Sequence, residues 1–200
     1  MKVYKIVPAD FASNSYIVTS DGKTCVVIDC AEERVFEECE RLNLTPKAVL
    51  LTHGHFDHVG GCGLFSKKNV RIYCGEREKE WIFSHENKHL FQGITIPDFE
   101  IYGTFSGGEV VNFAGIEFKV ISTPGHTAGG VCYLAGDNLF SGDTLFHESI
   151  GRTDLPTGNS AELIQSVKKL YALGNCTVYT GHGMNTTLAH EREFNPYVRG

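Results

Sequence analysis

The sequence predicts an α/β or α+β layered domain, with sheets packed face to face and helices on their outer sides. Two observations carry this. Short apolar runs bounded by Gly, Asn, Asp and Pro recur along the 200 residues and read as strands. Between them, three longer stretches carry apolar residues at helical spacing instead. The strand runs are 2–7, 15–20, 24–29, 48–52, 70–73, 109–113, 116–122, 130–135, 138–141 and 177–180. Helical spacing falls at 31–42, where Val35, Phe36, Cys39 and Leu42 share a stripe, at 75–83, and at 160–173. In the last of these Leu163, Ile164, Val167, Leu170 and Tyr171 line one face, and Ser160 followed by Glu162 marks the helix start. Residues 84–108 have no period and read as a long surface loop able to cover a site. No linker, repeat or low-complexity tract divides the chain, so 1–200 reads as one domain.

Hydrophobic residues at 42% and charged residues at 21% allow a sizeable core. A net charge of −6 argues against nucleic acid as the principal partner, because binding a phosphate backbone needs clustered Lys and Arg. A small molecule is the expected substrate. No apolar run approaches the roughly 20 residues that span a bilayer, and Met1-Lys2-Val3-Tyr4-Lys5-Ile6 lacks the apolar stretch of a signal peptide, so no membrane and a cytoplasmic location are expected. The 7 cysteines are odd in number and form no C-x-x-C pair, which reads as reduced core thiols; Cys30, beside Asp29, stands nearest to possible chemistry.

The chemistry is concentrated in Thr52-His53-Gly54-His55-Phe56-Asp57-His58, directly after the apolar run 48–51. Imidazole nitrogen and carboxylate oxygen are preferred Zn²⁺ ligands, while a packed core gains nothing from adjacent polar groups that each need a partner. Gly54 lets the backbone bend so that His53 and His55 can face one ion while Asp57 and His58 face another. The same arrangement recurs three times: strand runs lead through Gly125 to His126, through Gly142 to Asp143 and through Gly181 to His182. Strands that end together at one sheet edge bring such residues into a common cleft. Seven ligands exceed one tetrahedral zinc, so two ions sharing a carboxylate is the economical count. His85, His89 and His190 lack this context and read as surface or packing residues; His147, four positions after Asp143, is a candidate for the substrate pocket.

Thr-His-Gly-His-Phe-Asp-His at 52–58, Pro-Gly-His-Thr at 124–127, Ser-Gly-Asp-Thr-Leu-Phe at 141–146 and Thr-Gly-His-Gly at 180–183 resemble, in order, the motifs of the metallo-β-lactamase superfamily. Within it the chain looks most like the short bacterial glyoxalase II-like (hydroxyacylglutathione hydrolase-like) branch, whose Asn-x-Tyr segment and Ile-Asp turn are echoed by Asn14-Ser15-Tyr16 and Ile28-Asp29. The resemblance spans about residues 2–190 and implies an αββα sandwich, two facing mixed sheets with helices outside. It implies one divalent metal on His53, His55 and His126, a second on Asp57, His58 and His182, and Asp143 between them. Zinc is the expected metal, with iron or manganese as alternatives.

The implied reaction is hydrolysis of a hydroxyacyl thioester such as S-D-lactoylglutathione. A hydroxide bridging two ions attacks, because such ions lower the pKa of water to roughly 7, and Asp57 orients it. A thiolate is the leaving group, its thiol pKa near 8.5. Arg152 occupies the place of a carboxylate-binding Lys and is the candidate substrate reader, with an ion pair to Asp154 as its alternative role. The chain ends without the helical extension that helps glyoxalase II bind glutathione, and Gly151-Arg152-Thr153-Asp154 also resembles persulfide dioxygenases. A mononuclear iron dioxygenase, a lactonase or phosphodiesterase of the same superfamily, and a non-catalytic metal-binding domain stay open as alternatives.

Overall fold

Twelve of the fourteen strands fall into two sheets in a computed structural model that describes residues 1–8, 13–90, 93 and 95–198. The first sheet runs, in spatial as in chain order, β1 (Lys2–Ile6), β2 (Ser15–Thr19), β3 (Thr24–Ile28), β4 (Thr45–Leu50), β5 (Arg71–Gly75) and β6 (Ile101–Phe105). β1 to β3 are antiparallel; β3 to β6 are parallel, joined by helical connections. Those connections hold α1 (Arg34–Arg41), α2 (Phe56–Val59), α3 (Cys62–Lys67), α4 (Glu78–Ile82) and α5 (His85–Lys88). The second sheet contains β7 (Val110–Phe113), β8 (Ile116–Ser122), β9 (Val131–Ala135) and β10 (Asn138–Gly142), then, past the small hairpin β11 (Leu145–Phe146) and β12 (Ser149–Ile150), β13 (Thr177–Thr180) and β14 (Thr186–Thr187). Its order is β14-β13-β10-β9-β8-β7, with β10 and β13 parallel. α6 (Ser160–Tyr171) and α7 (Leu188–Phe194) complete the elements.

The central strands read as continuous apolar runs because both of their faces are buried. Alternate residues serve different layers. Val26, Ile28, Ala48 and Leu50 meet Phe118, Val120, Tyr133 and Phe140 between the sheets. Ile17, Val27, Val49 and Ile72 point the other way, onto Val35, Cys39 and Phe65 of α1 and α3. On the far side Cys132, Leu139 and Val178 pack with Leu163's helix through Val167 and Leu170. The layers are therefore helices, sheet, sheet and helices, the αββα arrangement expected. Each of the 7 cysteines is a free, buried thiol. Cys30 is fully buried, and its thiol is pushed well up by burial and by Cys62, which places it in the core.

The structure corrects several expectations. The stretch 84–108 is not a single loop: it contains α5 and the parallel edge strand β6, while residues 91, 92 and 94 of it lie outside the described part. β6 was hidden because Gly103 interrupts its pattern and Tyr102 faces solvent, as suits a strand paired on one side only. The helix expected over 75–83 is shorter, since Gly75 closes β5, and α2, α3 and α7 were too short or too polar to show a stripe. β4 begins at Thr45, three residues before the run that predicted it. The cap of α6 is Asn159, whose Oδ1 accepts from the Ala161 and Glu162 amides, rather than Ser160.

Candidate metal centre

The strand ends decide the site. In the parallel β3–β4 pair Ile28 lies opposite Leu50, so the next residues of both strands, Asp29 and the Leu51–Thr52 segment, emerge side by side. The Asp29 side chain accepts from the Thr52 amide (2.7 Å) and the Thr52 hydroxyl (2.7 Å), which fixes the start of the 52–58 turn. β8, β10 and β13 end at the same edge and deliver His126, Asp143 and His182. The turn that carries His182 is held by the opposite sheet: Asn14 Nδ2 and the Tyr16 hydroxyl both donate to the Thr180 carbonyl, at 2.9 and 2.6 Å. Gly181 is needed for this approach. A Cβ there would lie 2.1 Å from Asp143 Oδ1 and 3.0 Å from His58 Cε1.

Two adjoining groups of ligand-capable atoms result. On one side His55 Nδ1 lies 3.1 Å from His53 Nε2 and 2.9 Å from His126 Nε2. Donors bound to zinc tetrahedrally at about 2.0–2.1 Å stand about 3.3 Å apart, so this spacing suits one ion. On the other side His182 Nε2 is 3.2 Å from Asp57 Oδ2, and His58 Nε2 joins them at 3.9 Å. Asp143 spans both, with Oδ1 3.3 Å from His58 Nε2 and Oδ2 3.4 Å from His126 Nε2 and 3.5 Å from His182 Nε2.

The outer nitrogens set the tautomers. His53 Nδ1 lies 3.2 Å from the Thr52 hydroxyl, whose proton is committed to Asp29, so this nitrogen donates and Nε2 faces the cluster as a lone pair. His126 Nδ1 donates to the Arg152 carbonyl (2.8 Å), and His58 Nδ1 to Asp29 Oδ2 (2.8 Å), with the same consequence. Lone pairs converging at about 3 Å repel unless a cation sits among them. Consistent with that, His58 Nε2 and Asp143 Oδ1 are buried without hydrogen-bond partners. The donor set, imidazole nitrogens and carboxylates, fits divalent metal ions of the zinc or iron kind.

Electrostatics agree. Burial, then the neighbouring imidazoles, holds His53 well below its ordinary range and His55 down at about 3, so these two rings are neutral. At His58 and His182 burial opposes protonation but the carboxylates outweigh it: Asp29, Asp143 and Asp57 raise His58, and Asp143 and Asp57 raise His182 to about 9. Without a metal, protons on these rings supply positive charge that an ion would bring.

Some supporting residues left no signal in the sequence. Glu78, fully buried in α4, accepts from the Gly54 amide (2.7 Å) and the Gly129 amide (2.9 Å), so one carboxylate ties the histidine turn to the loop after His126. Asn87 Nδ2 donates to the Gly54 carbonyl at 2.8 Å. Their burial is a tertiary fact. The expected substrate residues behave differently from one another. Arg152 lines the cavity of about 500 Å³ above the cluster, beside Phe56, Phe146, Ile150 and Leu155. Its guanidinium is exposed and held by both oxygens of Asp154, at 2.7 and 2.6 Å. His147 is absent from that lining, and its ring stacks on His190, centroids 4.9 Å apart.

Residues 8–182 match the family model described as metallo-beta-lactamase superfamily. Hydroxyacylglutathione hydrolase GloC of Haemophilus influenzae is 32% identical over 97% of this chain and 97% of its own length. The crystal structure of BLEG-1 B3 metallo-beta-lactamase superposes with a TM-score of 0.94 at 32% identity, each chain covered in full. TTHA1623, crystallised in a di-iron-bound form, gives a TM-score of 0.83 at 31% identity over 98% of this chain and 100% of that one. The chain thus belongs to the metallo-beta-lactamase superfamily and is a metallo-hydrolase of it.

Proposed function

We propose that the protein is a thioester hydrolase of the glyoxalase II type, acting on a small hydroxyacyl thioester with a metal pair. His53, His55 and His126 hold one ion, Asp57, His58 and His182 the other, and Asp143 both. The observation that carries the metal pair is the abutment of these two donor groups across one buried carboxylate. Bound there, divalent ions bring water to a pKa near 7 and polarise a carbonyl. Zinc is the first choice by donor type, and the di-iron form of TTHA1623 keeps iron in view.

What the chain itself adds favours a thioester. Phe56, Phe146, Ile150 and Leu155 form an apolar wall for the acyl group, beside the cluster. Outside the cluster, the described residues lining this cavity include Ser149 and Arg152 as polar side chains, and neither is an acid suited to protonate an amine. A thiolate leaves without such help, because thiols ionise near pH 8.5. Asp57, at the cavity floor and 3.2 Å from His182, is positioned to accept a proton from the attacking water and orient it. The GloC similarity supports the same chemistry, S-D-lactoylglutathione being a suitable first substrate. Purified protein should contain about two metal atoms per chain and release thiol from hydroxyacyl thioesters, faster than it cleaves the matching amides, without oxygen uptake. One ferrous ion with oxygen consumption would sink the proposal.

Arg152 has a graded role under this reading. Its pair with Asp154 is exposed, so solvent and salt weaken it and a substrate carboxylate can take Asp154's place at little cost. Arg152→Ala should raise KM for a carboxylate-bearing thioester several-fold, leave kcat unchanged, and leave a neutral thioester unaffected. Equal KM changes for both substrates would show that Arg152 shapes the wall and reads no charge.

A further inference from the structure

Away from the principal cluster, His147, Glu148 and His190 offer ligand atoms that all lie within 4.8 Å of one another. His190 Nε2 is 3.0 Å from Glu148 Oε1, and the His147 and His190 rings stack 22° from parallel. Two imidazoles and a carboxylate are a three-ligand set for a borderline divalent cation, with the remaining position open to water. The group is half-exposed, Glu148 at 49% and His190 at 33%, so an ion can enter from solvent.

One feature separates this group from a chance surface cluster: its two elements are fastened to each other by residues that are not ligands. The Glu148 amide donates to Glu191 Oε2 (2.9 Å), and Glu191, fully buried, also accepts from the Thr186 hydroxyl (2.6 Å) and Asn195 Nδ2 (2.9 Å). Asn195 Nδ2 donates in turn to the Ser149 carbonyl (3.0 Å), so the turn between β11 and β12 is bonded to α7 on both sides of Glu148. The main-chain segments that carry the ligands are thus joined whether or not an ion is bound.

We propose that His147, Glu148 and His190 form a separate zinc site that clamps the β11–β12 hairpin to α7. Phe146, the residue before His147, lines the cavity and meets His182 edge-on at 5.9 Å, so the clamp holds a wall of the substrate pocket. The test is equilibrium dialysis of the whole protein against zinc, followed by elemental analysis of wild type, His190→Ala and His147→Ala. Each variant is expected to retain one zinc fewer per chain than wild type, with unchanged circular dichroism. His190→Ala keeps the main-chain bond from residue 190 to Thr187, so α7 stays capped. Equal zinc content in all three proteins would overturn the site and leave a stacked, hydrogen-bonded surface pair. Because the reading is a difference between variants, it does not depend on how many ions the principal cluster takes.

Discussion

Asp57→Ala is expected to lower kcat for thioester hydrolysis by about 10²–10⁴-fold, the range lost when a positioned acid or base is removed. The carboxylate meets His182 Nε2 at 3.2 Å and lines the cavity, and beyond it the second donor group has only His58, His182 and the shared Asp143. One metal atom per chain should be lost with it. The fold should survive, because the backbone of residue 57 is held independently: its carbonyl accepts from the Ser13 hydroxyl at 2.8 Å. Steady-state kinetics with metal analysis on the same sample checks this. Unchanged turnover at full metal content would remove Asp57 from the reaction.

The second large effect is expected at Asp29, which does not line the cavity above the cluster. Asn has the same shape and tolerates the left-handed backbone that Asp29 adopts at φ 54°. It replaces one acceptor with an NH₂ group, however, facing the Thr52 hydroxyl and His58 Nδ1, both of which now donate to Asp29 Oδ2. His58 can accept from that NH₂ group only by moving its proton to Nε2, the nitrogen that faces Asp143 and would bind metal. Asp29→Asn should therefore weaken the second ion about 10–100-fold, the usual cost of losing such a partner. The buried mismatch should lower stability by about 1–3 kcal/mol. Zinc titration monitored by competition with a chelator measures the first, and urea unfolding the second. Wild-type affinity would show that His58 is oriented by something other than Asp29.

The candidate ligands His126, Asp143 and His182 were legible because strand, glycine and metal-capable side chain follow one another in the chain, so local order reproduces spatial order at the sheet edge. The two-sheet layering was legible for a related reason: strands buried on both faces are apolar throughout. What stayed hidden depends on contacts distant in sequence. Glu78 and Asn87 support the histidine turn from more than twenty residues downstream, through bonds that local spacing does not encode. Arg152 attracted notice for its guanidinium, whereas its firm role is played by a carbonyl that fixes His126 Nδ1, and any residue supplies a carbonyl. β6 needed its partner β5 to be recognised as a strand.

The bonds from Asn14 and Tyr16 to Thr180 join residues 166 and 164 positions apart. On a growing chain, the three histidines of the first donor group are all present once residue 126 has emerged, while the second group waits for residue 182 and for the first two strands to close over its turn. Contacts of this separation form late, since a long loop must be closed before they are rewarded. Under the proposed function, filling of the second group would report that these distant segments have met, and a half-folded chain would lack the complete donor set.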